Sequence, residues 1–203
     1  DKEEQKHMDR VEEARRTLLA LYGGSHSPLE ESDPDFAAIK QRLVYGELYA
    51  QEALDPVMRE LILLAVATTN QTMSEVKLHT CAALRSGASP EAVKEAVYHC
   101  APYIGLGKAE AAAAAVNEVL RTQGISLPLA SQRTVSEEDR LTAGIAAQKS
   151  IFGPHIDEMR AAAPNDKKPL QDYLSAYCFG DFYTRSGLDI RQRELLTFSI
   201  LSA

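Results

Sequence analysis

His79 and Glu60 are the two side chains with the clearest capacity for joint chemistry. His79 lies on the stretch Ser74–Arg85, three residues beyond Val76 and four before Ala83, which places it toward the apolar face of a helix. Its imidazole titrates near neutrality and can pass a proton in either direction. Glu60 heads the run Glu60-Leu-Ile-Leu-Leu-Ala-Val-Ala67, directly after Arg59. A carboxylate brought beside His79 would fix its tautomer. Each residue also has a plainer reading: His79 as a satisfied core residue, and Arg59 and Glu60 as solvated charges near a helix start, where an acid is favourable anyway.

A second group lies in Tyr98-His-Cys-Ala-Pro-Tyr-Ile-Gly105. Tyr103 either projects a hydroxyl into a pocket or wedges a turn. His99 and Cys100 are adjacent, about 100° apart on a helix, so they do not face each other. Gly105-Leu-Gly107-Lys108 before a helix offers backbone donors to an anion but lacks dinucleotide and Walker spacing. Cys81, Cys100 and Cys178 form neither a CxxC pair nor a zinc spacing and are expected to be reduced and mostly buried. Arg185, Arg191 and Arg193 read as a solvated basic face. His7, His26 and His155 sit in polar or turn contexts and carry no signal.

The elements that must position these groups are helices. A first helix carries Leu18, Leu19, Leu21 and Tyr22 and stops at the Gly23–Pro28 run. Asp33-Pro34 and Asp55-Pro56 are helix starts, a capping side chain before a proline whose missing N–H costs nothing in the first turn. The helix after Asp33 carries Phe36, Ile39, Leu43, Val44 and Leu48 at helical spacing. The one after Asp55 is apolar on every face over Leu61–Ala67, so it is expected at the buried centre of a bundle. Further helices are expected over 74–85, 91–98, 108–122 and 136–151, with the chain bent at Pro102, Gly105 and Gly107. A final pair of helices follows the polar stretch Ala161–Pro169. No alternating strand pattern is present.

The sequence repeats itself. Gly46-Glu-Leu-Tyr49 matches Gly180-Asp-Phe-Tyr183, Leu54-Asp55 matches Leu188-Asp189, and Arg59-Glu60-Leu61 matches Arg193-Glu194-Leu195, always 134 residues apart. The expected organisation is a first copy with an N-terminal helix over 1–123, a linker over 124–133, and a shorter second copy over 134–203. At this offset residues 70–121 have counterparts at 204–255, beyond Ala203, so the apolar run Leu195–Leu201 is expected to need a partner surface: a missing half or a neighbouring subunit.

Composition narrows the function classes. The chain has 203 residues, 22 basic and 29 acidic, for a net charge of −7. That balance argues against sequence-independent nucleic-acid binding and against an anionic membrane surface. No apolar run approaches the roughly 20 residues that span a bilayer. A cytoplasmic setting is the expectation, although a leader could already have been removed from a chain that starts at Asp1.

Three stretches together, Asp55-Pro-Val-Met-Arg-Glu-Leu, Ser74–Gly87 and Ser89–Gly105, resemble the carboxymuconolactone decarboxylase family, whose relatives include the alkylhydroperoxidase D-like proteins. The resemblance covers roughly Ile39–Leu120 and resumes from Leu170. It implies an all-α, alkylhydroperoxidase D-like helical bundle, here duplicated with an incomplete second copy, and a homo-oligomer of trimeric or hexameric type. It implies no cofactor and no metal, and a small-molecule substrate from aromatic-compound catabolism.

The peroxidase branch carries Glu, a CxxC pair and His. Glu60 and His79 match, but Thr72 and Glu75 stand where the cysteines would be, and without a thiolate no peroxide chemistry follows. Gly107 stands where the decarboxylases commonly carry Pro. The resemblance therefore implies a carboxy-lyase acting on a carboxylated lactone or related acid: His79 supplies a proton, Glu60 orients it, Arg59 holds a substrate carboxylate and Tyr103 binds substrate. A thiol antioxidant using Cys81 or Cys100, or a non-catalytic oligomeric binding module, are the alternatives.

Overall fold

The computed structural model describes residues 9–24, 27, 29–51 and 53–203. His7, His26 and Pro28 lie outside the described residues. Among the described residues there are ten α-helices, two π-helical segments and no β-strand, so the fold is all-α. In chain order these are α1 (Arg10–Tyr22), α2 (Pro34–Gln41), π1 (Arg42–Leu48), α3 (Pro56–Thr69), α4 (Met73–Arg85), α5 (Pro90–Ile104), α6 (Leu106–Thr122), α7 (Arg140–Phe152), α8 (His155–Ala162), α9 (Lys168–Tyr173), π2 (Leu174–Tyr183) and α10 (Ile190–Ser202).

Helix α3 is the hub, packing on α4, α5 and α10. It starts as the sequence dictates: the Asp55 side chain accepts from the Met58 amide at 3.0 Å, with Pro56 in the first turn. Leu61, Leu64 and Ala65 are completely buried. They meet Val76 and Ala83 of α4, Val93, Ala96 and Val97 of α5, Ala112 and Val116 of α6, and Leu196 and Ile200 of α10. Burying a leucine here contributes about 1.5–3 kcal/mol. The alanines of α5 and α6 let those helices approach closely.

Two further units repeat one design. Helix α1 lies on π1, and α7 lies on π2. Each crossing is made at a glycine: a Cβ on Gly46 would sit far under 3.0 Å from the Arg10 carbonyl oxygen, and one on Gly180 equally close to that of Arg140. Each is also clasped by an ion pair, Arg10 with Glu47 at 2.6 Å and Arg140 with Asp181. The widened turns run through to Tyr49, whose amide donates to the Val44 carbonyl, and Thr184, whose amide donates to that of Phe179, both five residues back.

Three expectations are corrected. Phe36, Ile39, Leu43 and Leu48 are exposed, and within π1 it is Tyr45 and Gly46 that turn inward. Helix α5 continues through Pro102 and ends only at Gly105, whose φ is +94°. The basic cluster is a solvated face only at Arg191, which is exposed; Arg193 is fully buried. Its guanidinium pairs with Glu95 at 3.1 Å, and Arg185 pairs with the same carboxylate at 2.8 Å. The linker segment over 124–133 is held against the rest of the chain. Ile125, Leu127 and Leu129 pack on the main core, and the Gln132 carbonyl accepts from the Ser186 amide.

Candidate active site

Helices α3 and α4 are joined by Asn70–Thr72, where Gln71 takes a left-handed φ of +58° to reverse the chain. The reversal lays the two helices side by side and brings Glu60 and His79 into contact. Glu60 is 1% exposed and His79 is 7% exposed. His79 Nδ1 lies 2.9 Å from Glu60 Oε2. Against an ionised carboxylate, which can only accept, Nδ1 is the donor. The other ring nitrogen, Nε2, is left for chemistry and lies 3.6 Å from Glu75 Oε2, one helical turn earlier.

Glu75 connects this pair to open space. Its Oε1 accepts from Lys40 Nζ at 2.8 Å, across from α2. Both residues border a cavity of about 380 Å³ with Leu18, Tyr45, Ser74 and Leu78. His79 itself does not line the cavity; Glu75 stands between, with one oxygen on Lys40 and the other 3.6 Å from His79 Nε2. Behind Glu60 lies an aromatic wall. Tyr22 and Tyr45 meet edge to face at 5.8 Å, and Tyr45 meets Tyr49 at 5.1 Å. Burial pushes all three phenols up, and the nearby Glu60 charge pushes them further, so they stay protonated.

The structure brings together two of the four residues singled out from sequence. Arg59 is turned away from His79: its Nη1 donates to the Tyr49 carbonyl at 2.6 Å and its guanidinium stacks 4.5 Å over the Tyr49 ring. Its Nε is buried without a hydrogen-bond partner, so one donor remains uncommitted. Tyr103 belongs to another cluster. Its hydroxyl lies 3.0 Å from that of Tyr183 and 2.9 Å from Thr197 Oγ1. His99 Nε2 also meets Thr197, at 2.9 Å, and Tyr183 donates to Glu194 at 2.7 Å. Burial, then the Arg193 charge, pushes His99 down to about 3, so it is neutral there.

All three cysteines are free. Burial pushes Cys100 up to about 12 and Cys178 up to about 11, and it raises half-buried Cys81 as well. These are protonated, poorly nucleophilic thiols. Thr72 and Glu75, at the peroxidase cysteine positions, are occupied otherwise: Thr72 donates to the Ala67 carbonyl, and Glu75 holds Lys40.

Sequence reasoning passed over Lys40 and the tyrosine wall, and met Glu75 only as an absent cysteine. Glu75 carried a usable signal, standing four residues before His79 and so on the same helix face. Lys40 carried none, because its role depends on how α2 docks.

Residues 34–118 match the carboxymuconolactone decarboxylase family. The matched segment holds α2 through most of α6, and with them Lys40, Glu60, Glu75 and His79. The chain is also similar to a 4-carboxymuconolactone decarboxylase of Acinetobacter baylyi (strain ATCC 33305 / BD413 / ADP1). The two are 29% identical over 98 residues, covering 48% of this chain and 73% of the relative. No described helix is long and apolar enough to cross a membrane.

Proposed function

We propose that this protein is a carboxymuconolactone decarboxylase-like carboxy-lyase that works on a small carboxylated lactone or related acid without a cofactor. The observation that carries this reading is the 2.9 Å contact of His79 Nδ1 with the buried Glu60 carboxylate, which leaves Nε2 directed toward Glu75 and the cavity behind it. In the reaction the bond to the substrate carboxylate breaks and carbon dioxide leaves. The electron pair runs into the conjugated ring carbonyl to give a dienolate. Protonated His79 then delivers its Nε2 proton to carbon, while Glu60 holds the ring in place and stabilises the imidazolium. Positioned acid–base catalysis is worth about 10²–10⁴ in rate, and donors to the developing oxyanion must supply the rest. The half-buried Arg59 is one candidate for substrate contact. Tyr103, bonded to Tyr183 and Thr197, is a weaker one.

The chain is organised, on this reading, as a first copy over 1–123, a joining segment over 124–133 and a second copy over 134–203. The matching glycine crossings of α1 on π1 and α7 on π2 support that division. Self-association is supported by an apolar stripe that recurs at the repeat offset. Phe36 and Ile39 are 60% and 63% exposed, and Leu170 and Tyr173 are 60% and 71% exposed. Sedimentation of the intact protein as a single monomer at micromolar concentration would remove this part. Three unpaired thiols suit a reducing, cytoplasmic setting. The activity itself is tested by screening unsaturated lactone acids and keto acids for carbon dioxide release, with His79→Gln as the control. Release that survives His79→Gln would sink the proposed role of the imidazole.

A further inference from the structure

Glu75 and Lys40 form an ion pair that the reaction outlined above leaves unused, and its position is specific. Lys40 is the only cation among the described residues that line the 380 Å³ cavity. Glu75 reaches it with Oε1 and turns Oε2 to within 3.6 Å of His79 Nε2, too far for a good hydrogen bond. One carboxylate is therefore shared between the cavity's cation and the imidazole, and it fully satisfies only the cation. Both side chains are partly exposed, at 42% and 35%. Exposed pairs of this kind shift an equilibrium by no more than about fivefold, so a second carboxylate can displace the first.

Resting on the carboxy-lyase reading, we infer that Lys40 is the receptor for the substrate's carboxylate and that Glu75 is its resident stand-in. An anionic lactone takes Glu75's place on Lys40, and the released carboxylate moves off its station 3.6 Å from His79 Nε2. Recognition of the anion and unmasking of the proton-delivering nitrogen thus become one event: Lys40 sets specificity, and Glu75 governs access to His79. A neutral lactone leaves the ion pair intact and Glu75 beside Nε2.

The test uses a lactone that binds but has no conjugated carbonyl to take up electrons: 5-oxotetrahydrofuran-2-carboxylate, compared with its methyl ester, by calorimetry at low ionic strength on the full chain. The native protein should bind the acid at least tenfold more tightly than the ester. Lys40→Met should remove that preference and leave ester binding within twofold. Glu75→Gln should tighten the acid about threefold, because its competitor has lost its charge. In the native protein the acid, and not the ester, should shift the ¹⁵N resonance of His79 Nε2, and Glu75→Gln should abolish that shift. Equal binding of acid and ester by the native chain, an unchanged preference in Lys40→Met, or a Glu75→Gln protein that fails to tighten would each overturn the inference. The parent reading fails separately: preserved recognition by Lys40 with no carbon dioxide released from any unsaturated lactone acid removes the lyase and keeps the anion site.

Discussion

Tyr49, Arg59 and Glu60 recur 134 positions later as Tyr183, Arg193 and Glu194, yet the two sets end in different chemistry. Around Glu60 the partner is an imidazole, the arginine is half-buried over a tyrosine ring, and a cavity lies within reach through Glu75. Around Glu194 the partner is the Tyr183 hydroxyl. Arg193 is buried completely, and Thr197 stands where the offset puts Leu63. That threonine gathers Tyr103, Tyr183 and His99 into a network that fastens α5 to α10. On the proposed reading the same scaffold serves a proton carrier in one place and a structural clasp in the other. What separates them is which side chain meets the carboxylate.

Substitutions at matched positions should break or sharpen this contrast. The largest effect is expected for His79→Gln, with carbon dioxide release falling by about 10²–10⁴ and denaturant stability staying within about 1 kcal/mol. A parallel loss of fold would move His79 into the structural class with His99. Next come the two arginines. Arg193→Met removes one of the two arginines that hold Glu95 and leaves the carbonyls of Arg185 and Ser186 without their donor, which should cost about 1–3 kcal/mol in urea unfolding, whereas Arg59→Met should cost under about 1 kcal/mol. Similar costs at both positions would erase the distinction.

Acid stability is expected to follow His99. Its folded value of about 3 lies below the ordinary 6.5, so the unfolded chain takes up the proton first. The stabilisation from keeping this ring neutral is whole above pH 6.5 and drains away as pH falls toward 3. The loss is about 2 kcal/mol by pH 5. Unfolding curves of His99→Gln between pH 7 and 4 should lack that component, and an unchanged acid limb would contradict it. Thr197→Val should cost about 1–3 kcal/mol from leaving the Tyr103, Tyr183 and His99 groups short of a partner. Activity at the Glu60 site should be retained, and its loss would tie the two regions together.

The sequence revealed local order well. Asp55-Pro56 and Ser89-Pro90 start helices where the pattern says, and the all-apolar Leu61–Ala67 lies at the centre. The Glu60–His79 pairing was visible as a possibility because each residue sits on a helix that has to bury a face. Contacts made across elements were hidden. Lys40 looks like any surface lysine until α2 docks near α4. Arg193 looks solvated until Glu95 of α5 is seen to neutralise it, since a charge enters a core only when its partner does too. The π segments were hidden for a different reason. Spacing of apolar residues reports the 3.6-residue period, and an extra residue per turn over Arg42–Leu48 brings Tyr45 and Gly46 inward without altering that pattern.

The crossing at Gly46 sets the clearance over the site. Helix α1 rides on that glycine and carries Leu18, which roofs the cavity beside Lys40 and Glu75. A single methyl at position 46 would act as a wedge under the Arg10 carbonyl, tilting the roof away from the floor formed by α4. The dimensions of the chamber are thus governed from outside it, by a hydrogen atom where every other amino acid has carbon.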